Sequence, residues 1–164
     1  MFCWSFYQAV TGSTTPSYDL ELLRTNVFLC TSIFGCESYS VFSDPVATWL
    51  STGEVGTVQI EDVENNFYYA KRKFNGYWIN ANMHIAAWKK IKEEDMYSSK
   101  DWTVKVDTDA VFLPSRLRTI LETTEVTPNG IYIENCKYQN YGFYGALEVI
   151  SLEGAKRFYA ATCC

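Results

Sequence analysis

The segment Val104-Lys105-Val106-Asp107-Thr108-Asp109-Ala110-Val111 holds the residues best suited to chemistry. Two carboxylates close an apolar strand. Residues two apart on a strand share a face, and a turn there brings both carboxylates, or one plus a water, onto a single ion. Hard divalent cations such as Mg²⁺ or Mn²⁺ prefer oxygen ligands. An ion held by Asp107 and Asp109 would bridge the oxygens of a diphosphate and neutralise a departing nucleoside diphosphate. The plain alternative is a solvated Asp-Thr-Asp turn that binds nothing.

The surrounding pattern must place this turn. Residues 2–10 read as a first strand and 11–17 (TGSTTPS) as loop, since Gly, Pro and hydroxyl residues favour bends over ladders. Tyr18 to Arg24 reads as a short helix. Asn26 to Asp44 is two apolar runs broken at Gly35, and the second, Glu37 to Asp44, alternates as a strand that stops at Ser43-Asp44-Pro45. Val55 to Val63 is a third strand. Asn80 to Tyr97 is a helix capped by Asn80 or Asn82. Ile85, Trp88, Ile91 and Met96 approximate its apolar face, and His84 is a helix-face residue. Trp102 to Phe112 is a strand, and Pro114 fits the first turn of a helix with Leu117, Ile120 and Leu121 toward the core. Pro128-Asn129-Gly130 turns the chain into a strand over Ile131 to Glu134. Phe143 to Ile150 is the last strand and Leu152 to Ala161 the last helix. Strands that alternate with helices imply an α/β architecture with a mainly parallel sheet. In such sheets ligands bind beyond the carboxyl ends of the strands, where Asp107 and Asp109 fall.

Bulk properties set further bounds. The chain has 164 residues, 48 % of them hydrophobic and 20 % charged. That fits one globular domain over 1–164. The net charge of -5 gives no overall attraction to nucleic acid, whose binders cluster Lys and Arg. No apolar run of about eighteen residues exists, so no membrane span is expected. The N-terminus has no basic region or small-residue cleavage site, so any signal or anchor lies outside this chain. Six cysteines and one histidine, with no C-x-x-C pair, do not suit a zinc site. The cysteines suit disulfides in an oxidising compartment or buried thiols about equally. The end at Cys163-Cys164, with no polar tail, reads as cut rather than finished.

Two families enter on their motifs. An apolar strand followed by D-x-D-x-V resembles the nucleophile motif of haloacid-dehalogenase-type phosphatases, which implies Asp107 as nucleophile and Asp109 as general acid/base. That family's downstream metal-binding Asp residues have no counterpart, since no Asp follows Asp109. The stretch 101–117 (DWTVKVDTDAVFLPSRL) resembles the D-x-D segment of fringe-like, GT-A-type glycosyltransferases, nearest to protist and algal members. The resemblance continues through 130–159 (GIYIENCKYQNYGFYGALEVISLEGAKRFY) and, at the front, through MFCWSFYQ and SIFGCESYSVFSD. It is weak over 46–79.

This resemblance implies a GT-A-like, Rossmann-like nucleotide-sugar-binding domain, truncated at its C-terminus. It implies a metal-dependent glycosyltransferase of the hexosyltransferase type, with Mn²⁺ or Mg²⁺ and diphosphate at Asp107 and Asp109. The donor would be a nucleotide sugar of the uridine diphosphate class, and the acceptor a glycan or glycoprotein in the Golgi lumen or secretory pathway. Gly145 and Ala146 would wall the sugar, since small side chains let a sugar approach backbone. Glu148 would orient an acceptor hydroxyl or act as base, or else stand as a solvated strand residue. Ser43 and Asp44 would contact the nucleoside, or simply form a turn. His84 matches no metal-binding His of the family. The alternative is a non-catalytic or truncated nucleotide- or carbohydrate-binding module.

Overall fold

The computed structural model describes residues 1–8, 18–44, 60–62, 73–74, 77–78, 81–136, 142 and 144–161. A five-stranded sheet has the order β3-β2-β1-β6-β7. Its strands are β1 (Phe2–Gln8), β2 (Ser38–Asp44), β3 (Ile60–Asp62), β6 (Trp102–Val106) and β7 (Leu147–Ser151). The first four run parallel and β7 runs antiparallel to β6. A separate pair, β4 (Lys73–Phe74) and β5 (Tyr77–Trp78), is antiparallel. The expected α/β class with a mainly parallel sheet is therefore observed.

Apolar side chains alternate across the strands into two cores. On one face Cys3, Val41, Trp102, Val104, Val106 and Val149 pack on helix α1 (Asp19–Leu29), a 3-10 turn (Ser32–Gly35) and helix α3 (Pro114–Glu122). On the other, Phe2, Trp4, Phe6 and Phe42 pack on Met83, Ala87 and Ile91 of helix α2 (Ala81–Glu93). The ring of Tyr159 on helix α4 (Leu152–Ala161) closes this face against Trp88 and Tyr97.

The boundaries follow local chemistry, and several differ from expectation. Helix α1 runs past Arg24 to Leu29, where Cys30 adopts the left-handed conformation that ends helices. The interior face of α2 is Met83, Ala87 and Ile91, spaced i, i+4, i+8, while Ile85 is exposed. Asn82 lies inside that helix, so it is no cap; Asn80 lies outside the described residues. Helix α3 begins with Pro114 in its first turn, where the missing N–H costs nothing. Leu117 and Leu121 are buried one turn apart, and Ile120 faces solvent.

Residues Ile131 to Glu134 form no ladder. Tyr132 makes a single bridge to Ile150, and the segment borders β7 through Ile133 N–H to the Val149 carbonyl and Ser151 N–H to the Ile131 carbonyl, each 2.9 Å. The expected loop at 11–17, the Val55 to Gln59 part of the third strand, and Phe143 fall outside the described residues. No helix among the described residues is long and apolar enough to cross a membrane.

Candidate functional site

The order β3-β2-β1-β6 means that the chain builds outward from β1 on one side and returns to β1 on the other. α1 lies over one face and α2 over the opposite face. Such a reversal leaves a crevice at the carboxyl ends of the two strands that flank it, here β1 and β6.

The strand β6 stops at Val106 rather than Phe112, so Asp107 and Asp109 stand in a turn beyond the strand and not on it. Ala110 N–H donates to the Asp107 carbonyl at 3.0 Å, closing a four-residue turn. Thr108 is buried inside it and Asp109 is exposed. The Asp107 side chain keeps 36 % of its surface in solvent, and its N–H donates to the Ala146 carbonyl at 2.9 Å. This bond lays residues 144–146 alongside the D-x-D turn, so Gly145 and Ala146 border it.

Beneath the turn lies Lys105, only 1 % exposed. Its Nζ donates to Asp107 Oδ1 at 2.5 Å and to the Gly145 carbonyl. Glu148 is its cross-strand partner, with Oε1 at 3.8 Å. A buried ammonium is costly unless paired and hydrogen-bonded, and these three groups meet that need. Glu148 is thus not the solvated strand residue that alternation allowed. Its side chain is 20 % exposed, and burial raises its pKa above the ordinary carboxylate value, with Asp107 adding to the rise and Lys105 opposing it.

His84 reaches the same neighbourhood from α2. Its ring meets those of Trp4 and Phe6 edge-on, each with centroids 6.1 Å apart. Burial lowers its pKa to about 4, helped by the charge of Lys105 and opposed by Asp107. It is therefore a neutral imidazole at pH 7.

Ser43 and Asp44 end β2 level with Tyr7 and Gln8 of β1. They lie at the same sheet edge as the D-x-D turn but two strands away from it. The Ser43 hydroxyl is fully buried and has no hydrogen-bond partner among the described residues. The Asp44 side chain lies outside the described ones.

No group of three or more His, Cys, Asp or Glu side chains among the described residues is arranged to hold a metal ion. Two turn carboxylates still suit a Mg²⁺-like ion, which takes one or two carboxylates and completes its shell with phosphate oxygens and water.

Lys105 and Asn135 are the residues that motif reading passed over. The signal for Lys105 was the Val-Lys-Val alternation, because a cation in a fully buried strand must have a partner. Asn135 clamps the segment that borders the turn. Its Oδ1 accepts from Tyr144 N–H at 2.6 Å, and its Nδ2 donates to the carbonyls of Tyr144, at 2.9 Å, and Leu147. No residue pattern at 135 signalled that role.

Elsewhere Cys3 and Cys36 form a disulfide, while Cys30 is free. The pair fastens β1 to the residue that follows the 3-10 turn.

No family model and no curated protein matches the chain. Two solved structures are similar in fold. A galactosyltransferase, LgtC, in complex with donor and acceptor sugar analogs gives a TM-score of 0.49 at 14 % identity, covering 96 % of this chain and 60 % of that one. A glycosyltransferase involved in the glycosylation of the major capsid of PBCV-1 gives 0.44 at 16 % identity, covering 97 % and 65 %. This chain therefore spans less than two thirds of either.

Proposed function

We propose that this chain binds a nucleotide sugar, with its diphosphate at the D-x-D turn, and contributes that site to a metal-dependent glycosyltransferase. The observation that carries the reading is the position of Asp107 and Asp109. They stand in a turn outside the carboxyl ends of β1 and β6, at the reversal point of a mainly parallel sheet. The fringe-like sequence resemblance over 101–117 and 130–159 supports it.

Asp107 and Asp109 would hold Mn²⁺ or Mg²⁺, which offsets the charge of a leaving diphosphate. Gly145 and Ala146 would wall the sugar. A Cβ at Gly145 would stand 3.6 Å from Glu148 Oε1 and 3.8 Å from Lys105 Nζ, ordinary contacts. The fold therefore leaves room for alanine there, and a glycine at this position would let a sugar approach the backbone. Glu148 would orient an acceptor hydroxyl or take its proton; burial raises its pKa above the ordinary carboxylate value, a direction that strengthens a base. Ser43 and Asp44 would border the nucleoside. The acceptor would be a glycan or glycoprotein. The Cys3–Cys36 disulfide supports an oxidising, secretory-pathway setting.

Calorimetric titration with uridine diphosphate, with and without Mn²⁺, tests the reading. Metal-dependent binding that is lost in Asp109→Ala supports it, and absence of binding to the intact protein removes it.

A further inference from the structure

We infer that Lys105 is a positioning residue that fastens the D-x-D turn and the 144–148 segment into one rigid site. The inference rests on the reading of that turn as a ligand site. At position 105 a valine or leucine would fill a strand interior without the desolvation cost of an ammonium. The chain instead buries a cation to 1 % exposure and directs two of its three N–H donors into hydrogen bonds at one end of the strand, with Glu148 as a further ion-pair partner. Its partners come from two segments about forty residues apart: Asp107 Oδ1 at 2.5 Å on one side, and the Gly145 carbonyl with Glu148 Oε1 at 3.8 Å on the other.

The backbone joins the same two segments through the β6–β7 ladder, which pairs Lys105 with Glu148 and Val106 with Leu147, and beyond the ladder through Asp107 N–H to the Ala146 carbonyl. With Oδ1 held from below, the Asp107 carboxylate has a fixed orientation before any ligand arrives. The Gly145 carbonyl is held by the same ammonium, so one side chain ties the Asp107 carboxylate directly to the small-residue wall, beside the Asp107–Ala146 backbone bond and the Asn135 clamp. Preorganisation of this kind lowers the ordering cost of binding.

Amide hydrogen exchange on the full chain tests this without any ligand. In Lys105→Met the amides of Asp107 and Leu147 should exchange at least tenfold faster, while those of β1 and β2 keep their wild-type rates. Uridine diphosphate with Mn²⁺ should bind the variant at least tenfold more weakly. Faster exchange spread evenly over β1, β2 and β6 would mean that Lys105 only supports the core, and unchanged exchange at Asp107 and Leu147 would mean that it fastens nothing. Either result overturns the inference. Should Lys105→Met fail to fold, the ammonium resonance of the wild type decides. Lys105 protons that exchange far more slowly than those of Lys89 and Lys156 support the fastening, and equally fast exchange overturns it. If the wild type binds no nucleotide, the proposed function fails, but the exchange data still judge the role of Lys105.

Discussion

Lys105 Nζ stands 2.5 Å from Asp107 Oδ1, so the two aspartates of the D-x-D turn do different work. Asp107 compensates a buried charge, whereas Asp109 is exposed. Asp107→Ala should cost about 2 kcal/mol of stability, below the full cost of breaking a buried pair because Glu148 and the Gly145 carbonyl remain as partners. Asp109→Ala should leave the urea midpoint where it is. Equal midpoints for the two variants would contradict the ion pair.

Stability should also depend on pH through His84. Its folded pKa of about 4 lies below the ordinary 6.5, chiefly through burial. Below pH 6.5 the unfolded chain takes up a proton that the folded chain refuses. The stabilisation is thus complete above pH 6.5, falls as the pH drops through that value, and is gone below about 4. Its size is on the order of 3 kcal/mol. His84→Phe keeps ring contacts with Trp4 and Phe6 and should flatten the dependence of the urea midpoint between pH 7 and 4.5. Glu148, with its raised pKa, works the other way, favouring the folded state at low pH. Identical slopes for wild type and His84→Phe would refute the assignment.

Two glycines separate fold from ligand. A Cβ at Gly154 would stand 2.9 Å from Ile150 Cγ1 and 3.0 Å from the Ile131 carbonyl. Gly154→Ala should therefore destabilise the chain by roughly 1 to 3 kcal/mol, the range for overpacking. Gly145→Ala, which has room, should melt as the wild type does yet bind a nucleotide sugar more weakly. Equal binding by Gly145→Ala would argue against a sugar wall at that position.

The Cys3–Cys36 bond joins residues 33 apart in sequence. In the chain-entropy account a loop of that length contributes about 3 to 4 kcal/mol, which corresponds to roughly 10 °C in melting temperature for a chain of this size. Reductant, or the double substitution Cys3→Ala/Cys36→Ala, should lower the melting temperature by about that amount. An unchanged melting curve would show that the pair is not bonded in solution.

Much of this architecture was legible in the sequence where periodicity and punctuation agreed. α4 runs from Leu152 to Ala161 as expected, β2 stops at Asp44, and Pro114 opens α3. Legibility failed where tertiary contacts decide. Trp102 to Phe112 reads as one apolar strand, but the turn bond between Ala110 and Asp107 ends it after Val106. Ile131 to Glu134 alternates like a strand, yet makes only a bridge beside β7. Ile85 and Ile120 were expected inside from helical spacing, and both face solvent, because the buried stripes run at i, i+4 through Met83, Ala87 and Ile91 and through Leu117 and Leu121. Of the site, the two carboxylates were visible as a motif. Lys105 and Asn135 were not, since their roles come from Gly145 and Tyr144, residues brought to them only by folding.

Calorimetric titration of uridine diphosphate into the intact chain, with and without Mn²⁺, beside Asp109→Ala, decides whether this turn is a metal-diphosphate site. Asp109 is the cleaner choice, because its removal leaves the Lys105 pair untouched. Binding by the wild type should require Mn²⁺ and disappear in Asp109→Ala while that variant melts normally. Wild-type binding that is indifferent to both Mn²⁺ and Asp109, or no binding at all, would contradict a metal-diphosphate site at this turn.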